Sequence, residues 1–139
     1  MGKITLAEVE YIAFRLAKKL LGIYEPIPDF STRYPNVLES CIATPFLNFY
    51  NKSAYPGLIS KASIFFYLMI KNHPFKNGNK RIAVTSLFVL LSKNKKWLKV
   101  NYYELYKFTL WIAESPAGLK DEVVKVVEKF IKSHIVNLR

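Results

Sequence analysis

Two apolar runs, residues 58–70 and 82–91, dominate the hydrophobic pattern of the chain. Segments 58–71 and 78–93 are nearly apolar all round, which predicts two buried helices at the centre of the fold. Both runs are too short to span a bilayer, and Lys61 interrupts the first. Around them the pattern is amphipathic. Thr5-Leu6-Ala7-Glu8 has capping-box spacing, and Val9, Ile12, Ala13, Leu16 and Leu20 then form one stripe, with Gly22 as terminator. Pro26 and Pro28 predict an irregular connection, and Pro35 opens a short helix through Leu38 and Ile42 that stops near Thr44-Pro45.

Residues 46–56 have no helical period. Phe46, Phe49 and Tyr55 flank a polar Asn51-Lys52-Ser53 tip, the pattern of an extended flap or small hairpin. Residues 97–100 suit a short strand or turn. Asn101 can cap a helix running to about Glu114 on Leu105, Phe108 and Ile112, and Ser115-Pro116-Ala117-Gly118 breaks it. In the last helix Leu119, Val123, Val126, Val127, Phe130 and Ile131 are expected to face inward. The prediction is an all-α bundle of about six helices with a short flap, one domain over residues 1–139, without repeats or linkers.

Composition narrows the class. With 51% apolar and 22% charged residues, the 139-residue chain can bury its own core. A single cysteine, Cys41, excludes a disulfide framework and suits a small buried hydrophobe. No signal-peptide core is visible at Met1-Gly2-Lys3-Ile4-Thr5, so a soluble cytoplasmic protein is expected.

Charge is unevenly spread. No carboxylate lies between Glu39 and Glu104, a stretch carrying Lys52, Lys61, Lys71, Lys76, Lys80, Arg81, Lys93, Lys95, Lys96 and Lys99. Those ten cations account for all but one of the formal net charge of +11. Such a field steers anions inward: nucleotide phosphates, nucleic acid or an acidic protein segment. The lysines around Trp97 suit a solvated turn better than a nucleic-acid surface, and His134 lacks a metal-spaced partner.

Candidate chemistry is concentrated in His73-Pro74-Phe75-Lys76-Asn77-Gly78-Asn79-Lys80-Arg81, between the two apolar helices. Gly78 can take a positive φ, and Asn79 opens the next helix, whose first-turn N–H groups and dipole make an anion nest. Lys80 and Arg81 add full charges, Arg81 with a bidentate fork. His73 is placed to take a proton from a hydroxyl, while Phe75 anchors the loop. Any two of these features describe an ordinary turn; all of them in this order describe a site.

The motif resembles the core motif of the Fic/Doc family, and its Asn-Lys-Arg ending is similar to the Doc (death-on-curing) branch. Tyr55-Pro56-Gly57-Leu58, Lys61-Ala62, the helix at 82–91, that at 104–113 and the overall length are also similar to Doc-like proteins. The resemblance implies a Fic fold and a nucleotide-dependent transferase acting on protein hydroxyls. His73 would be the general base, Gly78 and Asn79 the phosphate nest, and Arg81 the phosphate clamp. Tyr50, Lys52 and Tyr55 would belong to a flap that docks the target by strand addition. Lysine at position 80, where most Fic proteins have glycine and transfer AMP, implies transfer of the ATP γ-phosphate, with elongation factor Tu as the target class. Adenylylation is the alternative.

Two positions depart from the pattern. Asn77 stands where the family usually has the Asp or Glu that holds Mg²⁺, and an amide oxygen is a weaker ligand. A catalytically decayed binding domain is therefore a second alternative. Val84 replaces the second arginine of longer Fic motifs, as in Doc-like proteins. The family's inhibitory Ser/Thr-to-Glu pattern is absent, which implies a separate antitoxin, its acidic segment suited to the basic centre of the chain.

Overall fold

The computed structural model describes residues 1–20 and 27–138, with only the backbone of Leu20. The expectations for Gly22, Pro26 and the Leu20 side chain lie outside the described residues. The first helix starts at the predicted cap: Thr5 Oγ1 accepts the Glu8 N–H at 3.1 Å and Glu8 Oε1 accepts the Thr5 N–H at 2.8 Å. It then runs through α1 (Leu6–Glu8), a π turn (Val9–Ala13) and α2 (Phe14–Leu20). The π turn adds a residue to one turn and changes the phase of the helix. Val9, Ala13, Phe14 and Ala17 are buried, whereas Ile12 of the predicted stripe is 43% exposed and Leu16 only half-buried. Thr85 Oγ1 donates to the Ala13 carbonyl at 2.8 Å, tying the irregular turn to the core.

Helix α3 (Pro35–Ala43) and a 3₁₀ turn over Thr44–Phe46 follow as expected. Strands β1 (Asn48–Phe49) and β2 (Lys52–Ser53) pair antiparallel, Phe49 opposite Lys52. The tip is Tyr50-Asn51 rather than Asn51-Lys52-Ser53. Both residues have positive φ, +51° and +63°, which a two-residue hairpin turn of the primed kind requires.

Helices α4 (Gly57–Lys71) and α5 (Asn79–Lys93) are the central pair, joined by the motif loop. All residues from Lys61 to Ile70 are buried, because α3, α5, α6 (Tyr102–Glu114) and α7 (Lys120–His134) pack around α4. Asn101 caps α6 through Oδ1, as predicted. Leu105, Thr109 and Ile112 of α6 are buried, and Phe108 stacks on Phe130 with centroids 4.1 Å apart. In α7 the buried stripe is Val123, Val127 and Ile131. Val126 is 41% exposed because it lies one helical step off that stripe, and Leu119 is 48% exposed because it falls in a preceding 3₁₀ turn.

Strand β3 (Lys96–Leu98) pairs with β4 (Ile135–Asn137), a strand absent from the sequence expectations. Three residues carry no alternation signal, and β4 exists because β3 offers it an edge. The architecture is thus a helical bundle with two short ribbons, the all-α fold with a small hairpin that the pattern predicts. Among the described residues, no helix is long and apolar enough to cross a membrane.

Lys61 has a structural role that charge patterning concealed. Its Nζ donates to the Pro45 carbonyl at 3.2 Å, Ser53 Oγ at 2.7 Å and the Tyr55 carbonyl at 2.6 Å, and lies 5.3 Å from the Phe46 ring centroid. Three donors meet three acceptors across both feet of the β1–β2 hairpin. Lys61→Met keeps the stem but leaves those acceptors without their donor, at a cost of about 2 kcal/mol. Hydrogen exchange at residues 48–53 is expected to rise at least about tenfold relative to α5; unchanged protection there would contradict the latch.

Candidate active site

The loop between α4 and α5 is built from the ends of both helices. Asn72 closes α4, its N–H donating to the Leu68 carbonyl at 2.9 Å. His73 follows at φ +49°, a left-handed conformation uncommon outside glycine. It is exposed, whereas Pro74 and Phe75 are buried. Phe75 packs among Phe14 and Phe30 with centroids 5.6 and 5.9 Å away, confirming it as the anchor. The Pro74 carbonyl accepts the Tyr34 N–H at 2.8 Å, clamping the loop from the side.

Asn79 closes the loop from within. Its Oδ1 accepts the Phe75 N–H at 2.9 Å and its Nδ2 donates to the Phe75 carbonyl at 2.8 Å. The side chain is committed to holding the loop, so an anion would meet the Asn79 backbone. Gly78, the N-cap of α5, sits at φ +72° as its type suggested. A Cβ there would come within 3.1 Å of Ile27 Cγ1. Gly78→Ala therefore combines left-handed strain of about 1–2 kcal/mol with a close contact. A urea midpoint lowered correspondingly is expected; an unchanged one would mean the turn relaxes freely.

Asn77 Oδ1 accepts the Gly78 N–H at 2.9 Å. Lys80 and Arg81 follow in the first turn of α5, where backbone N–H groups and the helix dipole favour an anion. Both also line a small cleft against α6, with Val84, Tyr102, Leu105, Tyr106 and Thr109. Burial pushes the Tyr102 phenol above its ordinary range, Tyr106 adds to this, and the Arg81 guanidinium partly offsets it. The cleft is no larger than a water molecule needs and its accessible lining is almost wholly apolar, so it closes the α5–α6 contact and is not a ligand pocket. Sequence reasoning missed this cleft; the signal was Tyr102-Tyr103 and Tyr106 on a helix otherwise read for its apolar face.

His73 through Arg81 share one loop and helix start, and the proposed docking residues stand on the β1–β2 hairpin. Tyr50 is 99% exposed at the hairpin tip, Lys52 is exposed, and Tyr55 is half-buried at the hairpin foot. Lys61 staples that foot to α4. Segment 27–34 packs directly on the motif loop: Ile27 beside Gly78, Phe30 on Phe75, and the Tyr34 N–H on Pro74.

The model of the Fic/DOC family matches residues 3–91, more than half of the chain and the whole motif loop. The chain belongs to the Fic/DOC family. No curated protein and no solved structure matches it. Family members are typically transferases that move a group from a nucleotide, generally ATP, to protein targets, often with Mg²⁺ and often alongside an antitoxin.

A nucleotide phosphate suits the residues present. A resident Mg²⁺ does not: Asn77 offers a neutral oxygen already shared with the Gly78 N–H, between Lys76 and Lys80. Among the described residues no group of three or more His, Cys, Asp or Glu is arranged to hold a metal ion. Glu39, at the edge of the stretch without carboxylates, has its Oε1 3.9 Å from Arg33 Nε.

Proposed function

We propose that the chain is a Doc-branch protein phosphotransferase, a single Fic/Doc domain over residues 1–139, using ATP as donor. The observation that carries this is one short loop: an exposed His73 next to a left-handed Gly78 that opens a helix carrying Lys80 and Arg81. The His73 imidazole takes the proton of a target Ser or Thr hydroxyl. The hydroxyl oxygen forms a bond to the γ-phosphorus as the bond to the β,γ-bridging oxygen breaks, and ADP leaves. Backbone N–H groups at Gly78, which exchanges its Asn77 Oδ1 partner for the phosphate, and at Asn79, with Lys80 and Arg81, hold the phosphates and balance charge on the transferring group.

Lys80 favours the γ-phosphate over AMP because of its branch resemblance. The target class by the same resemblance is elongation factor Tu in the cytoplasm, and the physiological restraint is a separate antitoxin with an acidic segment. The β1–β2 hairpin with Tyr50, Lys52 and Tyr55 docks the target by strand addition, and segment 27–34 braces the motif loop. One observation favours a second reading, a binding domain that has lost catalysis: the amide of Asn77 in place of a carboxylate.

ATP labelled separately at the α- and γ-phosphates, incubated with the chain in a bacterial lysate, separates these readings. Protein label from γ alone is expected. Label from α identifies adenylylation, and no protein label with ATP bound identifies the non-catalytic domain.

A further inference from the structure

Asn77 points to a phosphate site that works without a divalent cation. A carboxylate at position 77 would put a negative charge on the first N–H of the nest, close to any phosphate bound there. Such a charge makes anion binding depend on a cation that bridges the two. Asn77 makes the same hydrogen bond, Oδ1 to the Gly78 N–H at 2.9 Å, without that charge. The flanking Lys76 and Lys80, with Arg81 one residue on, already supply positive charge. Among the described residues of the loop, an added dication would meet those like charges and, at position 77, a neutral oxygen as ligand. Of the elements packed on the loop, segment 27–34 contributes one carboxylate, Asp29, and it is exposed.

We infer that this chain binds the nucleotide phosphates through backbone N–H groups and its own cations, and that Asn77 makes this binding independent of divalent metal. This rests on the reading of the motif as a phosphate site. It deepens that reading by assigning to lysine and arginine the neutralising role that a metal otherwise supplies.

Calorimetric titration of the purified chain with ATP, in EDTA and in Mg²⁺, tests it without reference to transfer. Wild-type affinity is expected to change by less than about threefold between the two buffers. Asn77→Asp is expected to bind at least about tenfold more weakly in EDTA and to recover in Mg²⁺, since the added charge restores the need for a bridging cation. Wild-type binding that appears only with Mg²⁺ would overturn the inference while leaving the phosphate site intact, and Asp29→Asn would then show whether Asp29 is the ligand. Absence of ATP binding in both buffers would overturn the phosphate-site reading together with this inference.

Discussion

His73→Ala is expected to lower transfer to protein by about 10²–10⁴-fold while leaving the urea midpoint near that of the wild type. Both halves follow from the same geometry. The imidazole is exposed, so its removal opens no cavity, and the groups proposed to hold ATP, at the start of α5, do not include it. Its backbone at φ +49° belongs to a class of strained positions that persist where the surroundings enforce them. His73→Gly supplies the complementary measurement. Glycine relieves the left-handed strain, so this variant is expected to be about as inactive as His73→Ala and more stable by up to about 1 kcal/mol. Retained transfer in both variants would remove His73 as the base; loss of ATP binding along with transfer would make it a structural residue of the loop.

Phe75→Ala is expected to be the most damaging substitution in the motif for stability, costing about 3–5 kcal/mol. Phe75 is 1% exposed and completes an aromatic trio in which Phe14 and Phe30 are themselves 5.3 Å apart, edge to face. The cost is a large share of the roughly 5–15 kcal/mol that holds a domain together. Since the Phe75 backbone also carries both hydrogen bonds from Asn79, loosening the ring loosens the loop that presents His73. Chemical denaturation measures the loss directly. Less than about 1 kcal/mol would mean that the loop hangs outside the core and that its conformation is set elsewhere. Phe75→Leu retains most of the apolar volume and should fall between the two.

The motif was legible in the sequence because its chemistry is local. A glycine before a helix start, two adjacent cations and a histidine after a helix end are fixed in space by seven residues of loop, whatever the rest of the chain does. The Thr5 and Asn101 caps were legible for the same reason: each is decided within one turn. Phase was harder. Nothing in Val9-Glu10-Tyr11-Ile12-Ala13 announces a π turn, and one extra residue in a turn was enough to send Ile12 outward and bring Ala17 in.

Long-range placement was hardest. The β4 strand depends on an edge provided by a segment about forty residues earlier in the chain, a pairing no short window contains. The hairpin was recognised from its residues, but not that Lys61 pins both its feet to α4. The same limit hid Ile27, Phe30 and Tyr34, which reach the motif loop only because α2, α3 and α4 pack as they do. Asn79 was read for its backbone alone; its side-chain bonds to Phe75 need the loop's path, which only the fold supplies.

Transfer to a protein hydroxyl that depends on His73 is tested most directly by peptide mass spectrometry of cells producing the wild-type chain or His73→Ala. A serine- or threonine-containing peptide that carries phosphate with the wild type and is unmodified with His73→Ala is the expected result. The same set of modified peptides from both cultures would contradict it.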